Sequence, residues 1–166
     1  ALIDIVKQGK ALYVGISKYP PAQAKIAYEM LRAAGVPCLI SQYRYSMFDR
    51  TVEEKSLPLA AEQGSGFIAF SPLAQGLLTK KYLHGIPEHS RAARSTGFLK
   101  VDQVTEDKVG KARRLDEIAA RRGQTLAEMA LAWVLKDERM TSVIVGTSSV
   151  KQLADNLHAL DNLNFT

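Results

Sequence analysis

Four short apolar runs, each followed by a segment of helical period, constrain this 166-residue chain more than any other feature. The runs are LYVGIS (Leu12 to Ser17), Cys38 to Gln42, GFIAFS (Gly66 to Ser71) and Ser142 to Gly146. Each is apolar on both alternating faces, as a parallel strand covered on two sides must be. Between them, apolar residues recur at three- and four-residue spacing, the mark of an amphipathic helix. Pro20-Pro21 opens the first such helix, Ala24, Ala27, Tyr28 and Leu31 form its buried stripe, and Gly35 ends it. A helix over roughly Val52 to Gln63 follows the second strand and stops at Gly64. Two more are expected near Glu106–Arg121 and Leu126–Lys136, parted by Gly123, with Thr125-Leu-Ala-Glu128 as a capping box. In the last helix Val150, Leu153, Leu157 and Leu160 fall on one stripe. Ala1 to Gly9 reads as the tail of a helix with Leu2, Ile5 and Val6 on one face. No cap residue precedes it, which implies a segment upstream.

The order is therefore βα four times, with one extra helix before the last strand. Right-handed crossovers carry every strand's C-terminal end to the same rim, where chemistry is done in such folds. Four units make either a small open sheet or half of an eight-unit barrel, which needs about 250 residues. A nucleotide-binding open sheet carries GxGxxG after its first strand, but that position reads Gly15-Ile16-Ser17-Lys18-Tyr19. Half a barrel is the more economical expectation, with residues 1–166 forming one partial domain.

Charge narrows the ligand class. The formal net charge is +5, and between Pro72 and Val104 five cations (Lys80, Lys81, Arg91, Arg94, Lys100) face only Glu88 and Asp102. No basic stripe interleaves with aromatics and no zinc-finger spacing occurs, so a local anion site is favoured over nucleic acid. Cys38 is the only cysteine and lies in an apolar run, which excludes an internal disulfide and suits a core position. No apolar run approaches the ~20 residues that span a bilayer, and ALIDIVKQGK is no signal peptide. A cytoplasmic protein with no membrane partner is expected. His84, His89 and His158 lack metal-ligand spacing and read as surface residues, so no metal site is expected. Arg113-Arg114 and Arg121-Arg122 read as solvated helix faces.

The strand ends supply the site. The first offers Ser17 and Lys18, the second Gln42 and then Tyr45 and Ser46, the third Phe70, Ser71, Pro72 and Leu73, the fourth Gly146, Thr147 and Ser148. Tyr19 and Tyr45 read as loop packing or pocket wall. Ser17 and Gln42 can both donate and accept toward a carboxamide, and Phe70 can stack on a heterocycle. Lys81 and Arg91 can hold phosphate charge. Gly146 to Ser149 runs from strand to helix, which leaves N–H groups at a helix N-terminus, either for a phosphate or for an ordinary N-cap by Ser148 or Ser149. The long region to Val104 is either a lid over such a ligand or a solvated insertion.

These residues resemble the aldo-keto reductases over their C-terminal half. YVGISKY is similar to the family's fifth strand, CLISQYRYS to its sixth, FIAFSPLAQGLLTKKY to its seventh, and SVIVGTSSVKQLADN to its eighth strand and following helix. FSPLAQGLLTKKYLHGIPEHSRA resembles the branch holding potassium-channel β subunits and bacterial reductases of glyceraldehyde-3-phosphate-like aldehydes. The resemblance implies strands five to eight of a (β/α)8 TIM barrel that binds NADP(H) and reduces small aldehydes or ketones. By that likeness Ser17 and Gln42 hold the nicotinamide carboxamide, and Phe70 stacks on its ring. Ser71 and Leu73 line the pyrophosphate, with Lys81 and Arg91 reaching over it from the long loop, and Gly146 at the fourth strand end belongs to the same cofactor site. Ser148, Gln152 and Asn156 meet the 2′-phosphate and adenine end. Two residues depart from the family's pattern: Lys18 where Asn is usual, and Asp155 where Glu is common. The family's catalytic Asp, Tyr, Lys and His lie on its first four strands, so no catalytic residue is assigned in this chain. A non-catalytic NADP(H)-binding regulatory module is the rival expectation. If the chain stands alone, its first and fourth strands are open edges, and either a homo-oligomer (a dimer that restores a closed barrel) or aggregation is expected.

Overall fold

The computed structural model describes every residue except Ser95 and Thr166. Four strands, β1 (Val14–Ser17), β2 (Cys38–Arg44), β3 (Gly66–Phe70) and β4 (Met140–Val143), form one parallel sheet in the order β1-β2-β3-β4. Helices α1 (Leu2–Lys7), α2 (Pro21–Ala33), α3 (Ser56–Glu62), α4 (Glu106–Arg121), α5 (Leu126–Leu135) and α6 (Val150–Leu157) precede, connect and follow them. The expected strand–helix alternation is present, extra helix included.

One rung of the sheet runs Ser17, Gln42, Ile68, Ser142, and two residues nearer the C-terminal ends, on the same face, Arg44 pairs with Phe70. Two faces follow from the alternation. Val14, Ile16, Cys38, Tyr43, Phe67, Ala69 and Met140 are buried against the helices. Ser17, Gln42, Ile68 and Phe70 point the other way and join none of the core clusters among the described residues. Gly15 allows the tight start of the β1–β2 ladder, because a Cβ there would lie 2.6 Å from the Ile40 carbonyl oxygen.

Several boundaries differ from expectation, each for a local reason. β4 runs from Met140 to Val143 rather than from Ser142 to Gly146, because its register is set by Met140 opposite Phe67. The Thr141 hydroxyl accepts the Phe67 N–H at the bulge (3.0 Å), and after Ile144 donates to Ala69 the chain leaves the sheet. β2 continues to Arg44 because β3 pairs it to Phe70. α3 starts at Ser56, since Thr51 to Lys55 fold as turns. In α1 it is Ile3 and Val6 that pack inward, while Leu2 and Ile5 are exposed. Ala27 of α2 is only half-buried, beside buried Ala24, Tyr28 and Leu31. The stripe of the last helix faces outward: Val150 is 87% exposed and Leu153, Leu157 and Leu160 are exposed with it. Periodicity marks an apolar face, but only a neighbouring element can cover it. The capping box of α5 forms as read, with the Thr125 hydroxyl accepting from Glu128 and the Glu128 carboxylate accepting the Thr125 N–H.

Between β3 and α4, the described residues of 72–104 build their own small core from Leu77, Tyr82, Ala92 and Leu99. Arg113 of α4 donates two bonds to the Leu83 carbonyl (2.8 and 3.1 Å), which ties this region to the helices. It is a packed structure, not a solvated insertion.

A polar cluster joins the β2–α3 loop to α5. The Tyr45 hydroxyl donates to Glu53 (2.8 Å), Arg50 grips the same carboxylate, and the Tyr45 ring lies against Trp133. Hydrogen bonding from Arg50 holds the Glu53 carboxyl below its ordinary range, against the opposing effect of burial. A carboxylate lowered in the fold stabilises it above the unfolded value of about 4.3 and loses that contribution as pH falls through the folded value. Denaturant midpoints of Glu53→Gln should therefore be lower than wild type at pH 7, and should fall less steeply toward pH 3. Parallel pH profiles would contradict this linkage.

Candidate functional site

The C-terminal ends of β3 and β4 open into a cavity of about 570 Å³. Three stretches of the chain line it, the last distant in sequence from the other two: Ser71 to Tyr82, then His89, Arg91 and Arg94, and finally Ile144 to Ser148 with Gln152. Its charged lining is cationic, from Lys81, Arg91 and Arg94, and no carboxylate is among the lining residues.

The first stretch is bent by its backbone. Ser71 (φ 55°), Ala74 (φ 48°) and Gln75 (φ 62°) all adopt the left-handed region, which non-glycine residues rarely occupy. Such conformations persist only where the surroundings over-determine them, and they concentrate at binding sites. Here they aim Gln75 across the cavity. Its Nε2 donates to the Ser71 hydroxyl (2.9 Å), and its Oε1 accepts from Arg91 (3.4 Å). Arg91 also reaches the far wall, where a Cβ on Gly146 would lie 3.9 Å from its Nη2. One arginine thus links the 72–104 region to both strand ends.

The β4–α6 turn supplies the far wall. The Ser149 hydroxyl caps α6 by accepting the Gln152 N–H (3.2 Å). Gln152 Oε1 accepts both the N–H (2.9 Å) and the hydroxyl (3.1 Å) of Ser148. The ordinary N-cap is therefore present, made by Ser149. Ser148 remains exposed on the cavity wall, with both its donors turned to the Gln152 amide oxygen.

The cavity brings together seven of the residues singled out from sequence: Ser71, Leu73, Lys81, Arg91, Gly146, Ser148 and Gln152. Ser17, Gln42 and Phe70 do not line it. They stand on the sheet face turned away from the core clusters, Ser17 opposite Gln42 at the end of β1, and Phe70 two residues nearer the rim on β3. Asn156 sits one turn beyond Gln152 on α6 and is buried, and among the described residues its Nδ2 finds no hydrogen-bond partner. Asp155 is paired with Lys151 (2.9 Å). Lys18 takes φ 59°, a region asparagine tolerates better than lysine. Tyr45 packs at 2% exposure, whereas Tyr19 is exposed and its carbonyl accepts from the Tyr43 hydroxyl.

Gln75, Thr79 and His89 line the cavity without having been singled out for the site. The left-handed backbone at Gln75 leaves no mark in a sequence of ordinary residues. His84, His89 and His158 are all exposed, as expected. Among the described residues no cluster of three or more His, Cys, Asp or Glu gathers as a metal site, and no helix is long and apolar enough to cross a membrane.

The profile of the Aldo/keto reductase family matches residues 1–166. The chain is 47% identical over 170 residues to an L-glyceraldehyde 3-phosphate reductase of Escherichia coli O157:H7. It is 46% identical over 170 residues to the protein of the same name from Escherichia coli strain K12. Each match covers 100% of this chain and 49% of the relative, so the chain spans about half the length of the curated relatives it matches. A parallel βα sheet with its cavity at the strand ends, matched from end to end by one family, makes this chain a member of the aldo/keto reductase family.

Proposed function

We propose that residues 1–166 form the C-terminal half of a (β/α)8 barrel and hold NADP(H) in an oxidoreductase that reduces small aldehydes or ketones. The observation that carries this reading is the cavity at the ends of β3 and β4, where three separate stretches present cations and backbone donors with no carboxylate. A dinucleotide's phosphates need that complement. The orphaned Nδ2 of Asn156 adds a buried donor in want of an acceptor, one helical turn from Gln152. These residues fit the cofactor.

In this reading Lys81 and Arg91 meet the pyrophosphate charge between Ser71, Leu73 and the Gly146 backbone. Ser148 and Gln152 exchange their mutual hydrogen bonds for the 2′-phosphate, and Asn156 faces the adenine end. Ser17 and Gln42, one rung on neighbouring strands, orient the carboxamide, and Phe70 supports the ring. The bound cofactor supplies hydride; the protein residues bind, orient and screen it from water. The relatives' name, L-glyceraldehyde 3-phosphate reductase, supports an aldehyde as substrate.

The test is made on the full-length protein. NADPH should bind, and glyceraldehyde or methylglyoxal should be reduced with NADPH consumed in equal amount. A protein that binds NADPH without turnover would replace this reading with a non-catalytic sensor, and one that does not bind it would end the cofactor assignment.

A further inference from the structure

Arg44 is the last residue of β2 and lies on the sheet face turned away from the core clusters, with Ser17, Gln42 and Phe70. Its partner across the ladder is Phe70, and its guanidinium carbon lies 5.9 Å from that ring's centroid. The side chain is exposed, and among the described residues no carboxylate pairs with it. Several other arginines meet oxygen acceptors: Arg50, Arg113 and Arg139 pair with carboxylates and Arg32 donates to the Gln63 carbonyl, whereas Arg122, like Arg44, lies over a ring, that of Phe165. Lys18, whose N–H donates to the Gln42 carbonyl, adds a second exposed cation at the neighbouring strand end.

A guanidinium with a free fork beside an aromatic face is a receptor for an oxyanion. Two anions are candidates, a cofactor phosphate and a charged group on the substrate. The lining of the cationic cavity at the ends of β3 and β4 does not include Arg44. Its contact is instead with the ring to which the cofactor reading assigns the nicotinamide, the part nearest the reacting carbonyl.

We propose that Arg44, poised over the Phe70 ring, is the subsite that binds the anionic group of the substrate, a small carbonyl compound bearing a phosphate or carboxylate. This rests on the cofactor reading above. With a ring seated on Phe70, the guanidinium swings off the ring face toward the rim and carries its charge to the substrate's side. Neutral aldehydes lack the group that Arg44 grips, so the residue sets specificity without touching the reacting atoms.

The test is Arg44→Met in the full-length protein, with glyceraldehyde 3-phosphate, succinic semialdehyde and uncharged glyceraldehyde as substrates. NADPH affinity is measured alongside. A charge-assisted bond of ordinary strength predicts a rise of about 30-fold in KM for an anionic substrate. Kinetics with glyceraldehyde and NADPH affinity should stay within about twofold, and Arg44→Lys should recover part of the loss. A selective loss on the phosphorylated or on the carboxylated aldehyde identifies which anion is read. Equal loss on all three substrates, weakened NADPH binding, or no change with either anion would overturn the proposal. The cofactor reading is judged separately, by whether the wild-type protein binds NADPH.

Discussion

Replacing Arg91 and Ser148 together by alanine should weaken NADPH binding to the full-length protein by about two orders of magnitude. Both side chains face the same cavity from opposite walls, and Arg91 joins them through Gln75 and the Gly146 turn. A hydrogen bond to a charged group contributes about 1.5–3 kcal/mol, and the exposure of Arg91 argues for the lower end. The Ser148 hydroxyl adds about 1 kcal/mol. Together these make about 2.5 kcal/mol, which approaches about 100-fold in affinity. Because both residues are exposed, the unfolding transition should move by no more than about 0.5 kcal/mol. Fluorescence titration at two ionic strengths gives the readout: wild-type affinity should fall with salt, and the double variant should respond less. An unchanged dissociation constant would remove Arg91 and Ser148 from the cofactor site.

Phe67→Ala should be the most damaging single truncation of the sheet, destabilising the protein by about 3–5 kcal/mol. Phe67 is fully buried at the centre of the β2-β3-β4 ladder, and its ring stacks on Tyr43 with centroids 5.1 Å apart. Around it lie Leu57 and Ala60 of α3 and Val134 of α5, all fully buried, so the void has little room to collapse. The same strand ends in Phe70 and Ser71, which tie the loss of packing to the site. A domain's stability is only about 5–15 kcal/mol, so the loss is a large share of the whole. Urea unfolding followed by circular dichroism measures it. A cost below about 1 kcal/mol would mean that the sheet is not anchored at Phe67.

Burial also explains a silent group in this core. The Tyr43 hydroxyl is pushed up to about 12, chiefly by desolvation, so it stays neutral at physiological pH and serves as a donor to the Tyr19 carbonyl. That bond ties β2 to the β1–α2 loop beside Ser17.

The elements were legible because their signals are local. Pro21 at a helix start, glycines at helix ends and Thr125 with Glu128 act through neighbours within four residues, and each occurs where it was read. Strand ends were less legible. β4 begins at Met140 because Phe67 lies opposite it, and that pairing spans more than seventy residues. The cavity-lining cations were visible as a charge excess, but Gln75 and His89 were not. Nothing in a glutamine's neighbours announces a left-handed backbone that swings it onto Arg91.

By itself, the order of residues determined the βα alternation, the shared direction of the strands and the residue types delivered to their C-terminal ends. Period, capping and chirality act along the chain and need no partner. Only the tertiary structure decided which apolar stripe is covered and which is bare. The face of α2 with Tyr28 and Leu31 is buried on the sheet, while that of α6 with Val150 and Leu157 is open. It also decided that Arg44 meets a ring rather than a carboxylate. Burial and pairing depend on what another part of the molecule brings within a few ångströms, and a one-dimensional pattern does not contain that distance.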